Sequence, residues 1–194
     1  MRTFSTCVFV LLQIVAMGQV ISFHDDSLKI NKTYIDARIT AKQLDLLLGT
    51  KHGTLKTKSD LQIKTHTGIK VKQVTYYYPS LGLYFRTYKD DASKFALGLK
   101  LTDAPDPKDE IIQKLIKPFA GYLFIVGNDM SRYKTAEEIK LLPNVSVSFQ
   151  ESYPDGKRTI VGGEILYQKD IIRLSIDKKT QEITAIYFYH NFKR

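Results

Sequence analysis

The string Thr40-Ala41-Lys42-Gln43-Leu44-Asp45-Leu46-Leu47 returns 95 positions later as Thr135-Ala136-Glu137-Glu138-Ile139-Lys140-Leu141-Leu142. A chain that writes one short helix twice is constrained before anything else is known of it. In each copy a Thr is followed three residues on by Gln or Glu, the reciprocal capping pair that satisfies free backbone N–H groups at a helix start. Leu44, Leu47 and Leu48 share one face, and Gly49 permits the left-handed turn that ends the helix. Ile139 and Leu142 form the apolar face of the second copy, which Pro143 stops. Helices of about two or three turns are marginal in water. Each must therefore be held against something wider.

The rest of the chain supplies sheet. It has 12 Tyr and 10 Phe, with many Val, Ile and Thr, the residues that suit pleated surfaces. Segments 28–35 and 121–127 read as strands ahead of the two helices. Segments 71–78, 81–89 and 95–101 follow the first helix, and 145–152, 158–168, 171–177 and 182–190 follow the second. Turn chemistry joins them at Pro79-Ser80, Asp90-Asp91, Pro154-Asp155-Gly156 and Asp177-Lys178. The pattern predicts an α+β protein of two tandem units, each a short helix packed on an antiparallel sheet. Together they make one continuous sheet of about eight strands with the helices on one side. The expected boundaries are a leader at 1–18, a first unit at 19–101, a linker with a short helix at 102–120, and a second unit at 121–194.

A helix ending "LLLG" (46–49), followed by "YYYPSLGLYF" (76–85) and further hairpin strands, resembles the repeat of β-lactamase-inhibitor proteins and of the small outer-membrane assembly lipoproteins. It is also similar to bacterial exported proteins of unknown function that carry a related aromatic motif. The paired cysteines of the inhibitors are missing here. The resemblance implies a helix-on-sheet fold and a binding role, and names no target.

Residues 1–18 have the parts of a secretory signal: Arg2, an apolar run from Val8 to Val15 broken only by Gln13, and Ala16-Met17-Gly18 as a small-x-small cleavage site. The run is shorter than the ~20 residues a membrane span needs. No second such segment follows, so the expected location is periplasmic or secreted. Cys7 is the sole cysteine and leaves with the leader, so the mature chain forgoes disulfides and thiol chemistry. That favours a bacterial envelope origin and lowers the weight of the glycosylation triplets at Asn31 and Asn144. The net charge of +9 points to anionic partners, among which export disfavours nucleic acid.

Catalytic signals are thin. His24, His52, His66 and His190 are scattered and no metal-ligand or nucleophile motif accompanies them, so no cofactor, metal or catalytic residue is assigned. Two surfaces are candidates. Strand alternation puts Tyr77, Tyr84, Arg86, Tyr88 and Arg173 on the sheet face away from the helices, where solvated Tyr and Arg would form a hot spot for a protein partner. Lys51, Lys56, Lys58, Lys64, Lys70 and Lys72 crowd a segment with Asp60 as its only acid. They read as an anion-facing loop for an envelope surface, or as a solvated hairpin whose lysines guard a sheet edge. The leading expectation is a non-enzymatic exported binding module using the Tyr/Arg face. The alternatives are an envelope-surface or assembly protein using the lysines, and a hydrolase built on loop His and Asp residues.

Overall fold

Thirteen strands and three α-helices build the described part of the chain, residues 18–24, 27–35, 38–59, 71–88, 91–104, 110–168 and 170–191 of a computed structural model. The first half contains β1 (Val20–His24), β2 (Ser27–Ile30), β3 (Thr33–Ile35), α1 (Ala41–Leu48), β4 (Gly53–Ser59), β5 (Val71–Tyr78), β6 (Leu83–Tyr88) and β7 (Asp91–Lys100). After α2 (Glu110–Leu115) come β8 (Tyr122–Ile125), β9 (Asn128–Asp129), α3 (Ala136–Ile139), β10 (Ser146–Ser152), β11 (Thr159–Tyr167), β12 (Asp170–Ile176) and β13 (Ile183–Asn191). Residues 1–17, nearly all of the leader expected at 1–18, lie outside the described residues. Among those described, no helix is long and apolar enough to cross a membrane.

The strands form two sheets where the sequence predicts one. The larger has eight strands in the order β10-β11-β12-β13-β7-β6-β5-β4, two four-stranded antiparallel meanders joined where β7 pairs with β13. The smaller has the order β3-β2-β1-β8-β9. Strand β1 sits at its centre, antiparallel to β2 and parallel to β8, so β2 and β8 run in opposite directions on its two sides. Segment 28–35, predicted as a single strand, is a hairpin. Its turn residues Asn31 and Lys32 have φ of 49° and 70°, the positive values a two-residue type I′ turn requires.

Both capping boxes form as predicted: the Thr40 and Thr135 side chains accept from the backbone N–H of Gln43 and Glu138, whose own side chains reach back. Helices α1 and α3 join the smaller sheet in covering one face of the larger. Leu44, Leu48, Ile139 and Leu142 enter a single core with Ile21, Phe23, Phe85, Leu97, Leu174 and Ile186. The offset of 95 extends beyond the helices. Leu28 and Leu123, Ile30 and Ile125, Ile35 and Met130, and Leu44 and Ile139 are pairwise buried, while Leu46 and Leu141 are each 76% exposed. Gly49 caps α1 with φ of 66°, and Asn144, in the turn that leads from α3 into β10, has φ of 62°.

Helix α2 departs from the expected layout. It lies on the opposite face of the large sheet, packing Ile112 and Ile116 against Tyr84, Ala185 and Tyr187. Lys100, buried at the end of β7, donates from Nζ to the carbonyls of Gln113 and Ile116, both at 2.9 Å, and pairs with Asp103. A cation on the last carbonyls of a helix satisfies groups that have no partner within it.

Candidate functional site

Alternation along β6, β12 and β13 places a connected set of aromatic and charged side chains on the outer face of the large sheet. Tyr84 meets Tyr187 edge-on, with centroids 6.3 Å apart, and Tyr187 stacks on Tyr189 at the same distance. The Arg173 guanidinium lies 4.9 Å from the centre of the Tyr189 ring, and its Nε donates to Glu164 Oε1 at 3.0 Å. The Arg86 guanidinium lies 5.5 Å from the centre of the Tyr84 ring. Beside Arg173, Ser148, Gln150, Gly163 and Glu164 line a shallow polar trough of about 440 Å³. Leu166 and Ile171, opposite one another on β11 and β12, are 40% and 36% exposed on the same face.

The predicted partner surface is thus only partly open. Tyr84 is 1% exposed, not solvated. Helix α2 covers it from above, and its ring fills the space left by Gly98 on β7, where an added Cβ would fall 2.1 Å from the ring. Tyr77 is half-buried over Gly53 in the same way. Arg173 remains half-exposed, and Arg86 is partly covered. The side chain of Tyr88 lies outside the described residues. Tyr187, Tyr189, Glu164, Leu166 and Ile171 were missed by the sequence reading. The alternation in Ala185-Ile186-Tyr187-Phe188-Tyr189 carried the signal for two of them.

The described ends of the lysine segment are two paired strands. Strands β4 and β5 pair from Gly53↔Tyr77 to Ser59↔Val71, and β4 is an edge of the large sheet. Lys51 precedes it and Lys56 is exposed on it, the placement by which edge strands resist pairing with other chains. Lys64 and Lys70, and the side chains of Lys58 and Lys72, lie outside the described residues.

One histidine does meet a carboxylate. Asp45, on the last turn of α1, accepts three hydrogen bonds at one oxygen: from the His52 backbone N–H at 3.1 Å, from His52 Nδ1 at 2.9 Å and from the Tyr78 hydroxyl at 3.1 Å. Partial desolvation pushes its carboxyl up, but the donors and the nearby imidazole outweigh this and hold it below the ordinary range. Burial, then the Asp45 carboxylate, push the Tyr78 phenol well above its usual value. The arrangement ties helix, turn and strand together. His66 lies outside the described residues, as does the side chain of His190. Among the described residues, no three His, Cys, Asp or Glu side chains gather as a metal site would need.

A large sheet covered on one face by a small sheet and two capped helices, and on part of the other by a third helix, defines an α+β two-sheet protein. The chain belongs to the family described as Domain of unknown function (DUF7738), whose sequence pattern matches residues 20–140, from the first residue of β1 to the end of the second capped helix. No curated protein and no solved structure matches it.

Proposed function

We propose that this chain is an exported, non-enzymatic binding module that holds a protein partner against the outer face of the eight-stranded sheet. The observation that carries this reading is the half-exposed Arg173 stacked on Tyr189, with the exposed Leu166 and Ile171 beside it. Arginine and tyrosine dominate the energetics of protein interfaces, and apolar neighbours supply the water-excluding surround. Sheet pairing holds all four side chains on rigid backbone, so little ordering cost falls on association. Duplication of an ancestral hairpin–helix–meander unit accounts for the scaffold: the 95-residue offset relates the turns, the caps and the burial pattern of both halves. A hydrolase reading would centre on His52 and Asp45, yet all three bonds to that carboxylate oxygen already serve to join α1 to the sheet.

The test uses the mature chain as bait in an extract of the native envelope and secreted fraction, followed by titration of the purified partner. Ile171→Asp and Arg173→Ala are expected to leave the thermal midpoint within a few degrees of wild type. Each is expected to weaken partner binding by about 30-fold, the equivalent of roughly 2 kcal/mol. Binding that survives both changes but collapses on adding salt would reject this face in favour of the lysines. Turnover abolished by His52→Ala would establish the hydrolase reading.

A further inference from the structure

A second cavity, of about 430 Å³, opens where the linker after β7 meets β8, the turn at 130–132 and the start of β13. Its volume is that of sites that take small organic molecules. The floor is apolar: Leu101, Leu123, Met130 and Ile183. Phe119, Tyr122 and Tyr133 add aromatic wall, and Tyr122 is more than half exposed at the mouth. Charged groups stand only at the rim. Asp129 is fixed there by accepting from the Ser131 backbone N–H at 3.0 Å, and Arg132 acts on it from nearby. Lys134 also stands at the rim, where its backbone N–H, with that of Thr135, donates to the Glu138 carboxylate. Glu182 accepts a long hydrogen bond from the Thr180 hydroxyl, and among the described residues no cation forms an ion pair with it.

The scaffold does not demand this lining. At the positions 95 residues earlier, Ser27 stands for Tyr122, Tyr34 for Asp129 and Arg38 for Tyr133. The intervening core positions keep their character, Leu28 for Leu123, Ile30 for Ile125 and Ile35 for Met130. The chemistry of the cavity is therefore particular to the second half, while the packing beneath it is common to both.

We infer that this cavity binds a small hydrophobic amine, with its apolar body against Phe119, Tyr122 and Met130 and its ammonium against Glu182 at the rim. Apolar walls reward burial of the body, and a carboxylate at the edge of a low-dielectric cleft attracts a cation more strongly than it would in open water. An anion of the same shape would meet two carboxylates, Glu182 and Asp129, against the single ammonium of Lys134.

The chain has no Trp, so an indole ligand can be followed by its own fluorescence. Tryptamine titrated into the full mature chain is expected to bind saturably with a blue-shifted emission. Indole-3-propionate, which has an indole body of similar size with a negative charge, is expected to bind at least about tenfold more weakly. Glu182→Gln should erase most of that preference. Tyr122→Ala and Ser131→Phe, both at exposed rim positions, should weaken tryptamine about tenfold or more while leaving the circular dichroism melt unchanged. Equal binding of amine and acid, indifference to all three changes, or no saturable blue shift up to millimolar ligand would each overturn the inference. The readout is independent of any partner on the outer face, so either reading can fail alone.

Discussion

Tyr84 and Gly98 form one packing unit across two strands, and their fates are tied. The ring lies where a Cβ at 98 would be, and α2 closes over it. Removing a fully buried aromatic side chain leaves a cavity and commonly costs about 3–5 kcal/mol, so Tyr84→Ala is expected to lower the melting temperature by about 6 °C or more. Gly98→Ala should be destabilising as well, because the ring it displaces has no solvent to move into. A melt of Tyr84→Ala indistinguishable from wild type would mean that the residue is solvated after all. Asp45 makes the complementary case for a polar side chain. Asp45→Ala strands the buried Tyr78 hydroxyl, at a cost of about 2 kcal/mol near neutral pH. The folded carboxyl titrates below its unfolded value. Its contribution is therefore fully present above the ordinary carboxylate range and is lost as pH falls through the folded pKa. Denaturant titrations of both proteins at several pH values should show the gap between them closing in acid. A gap that stays constant would mean that the ionised form carries no extra weight.

At the scale of elements, the legible features were the local ones. Capping boxes and the leucine face of α1 depend on residues three or four apart, and strand alternation on residues two apart, so both could be read from a single sequence. The inward set Leu83, Phe85, Leu174 and Ile176 follows from alternation alone, and all four are buried. Strand β1 was hidden because Val20-Ile21-Ser22-Phe23 follows closely on the apolar run from Val8 to Val15 and reads as its continuation. The placement of α2 was hidden for a different reason. The spacing of Ile112 and Ile116 shows that this helix has a face to bury, but not which side of the sheet receives it. Of the Tyr/Arg set, Tyr77, Tyr84, Arg86 and Arg173 consequently share the outer face, but Tyr84 is buried there and not solvated. Helix α2 also carries a weakness. Gln113 is buried, and among the described residues its side-chain amide has no hydrogen-bond partner. Gln113→Met, similar in volume and apolar, is expected to raise stability by about 1 kcal/mol. A loss of stability on that change would show that the amide is satisfied in solution.

On the scale of the whole molecule, the two halves are interlocked, not strung together. The meander of the first half meets that of the second through the β7–β13 pair, and β1 lies between β2 of the first half and β8 of the second. A single core takes side chains from both. Neither half could leave without exposing a sheet edge and much of that core, so unfolding is expected to be one cooperative step. An outer face that spans both halves is then a rigid platform, as a preorganised binding surface needs. Native-state hydrogen exchange in increasing denaturant measures this coupling most directly. The slowest amides of β1, β7 and β13 are expected to share one opening free energy, and to merge with global unfolding together. Loss of protection throughout β10–β13 at denaturant concentrations where β4–β7 keep theirs would contradict the interlocked fold, and with it the single platform on which the proposed partner rests.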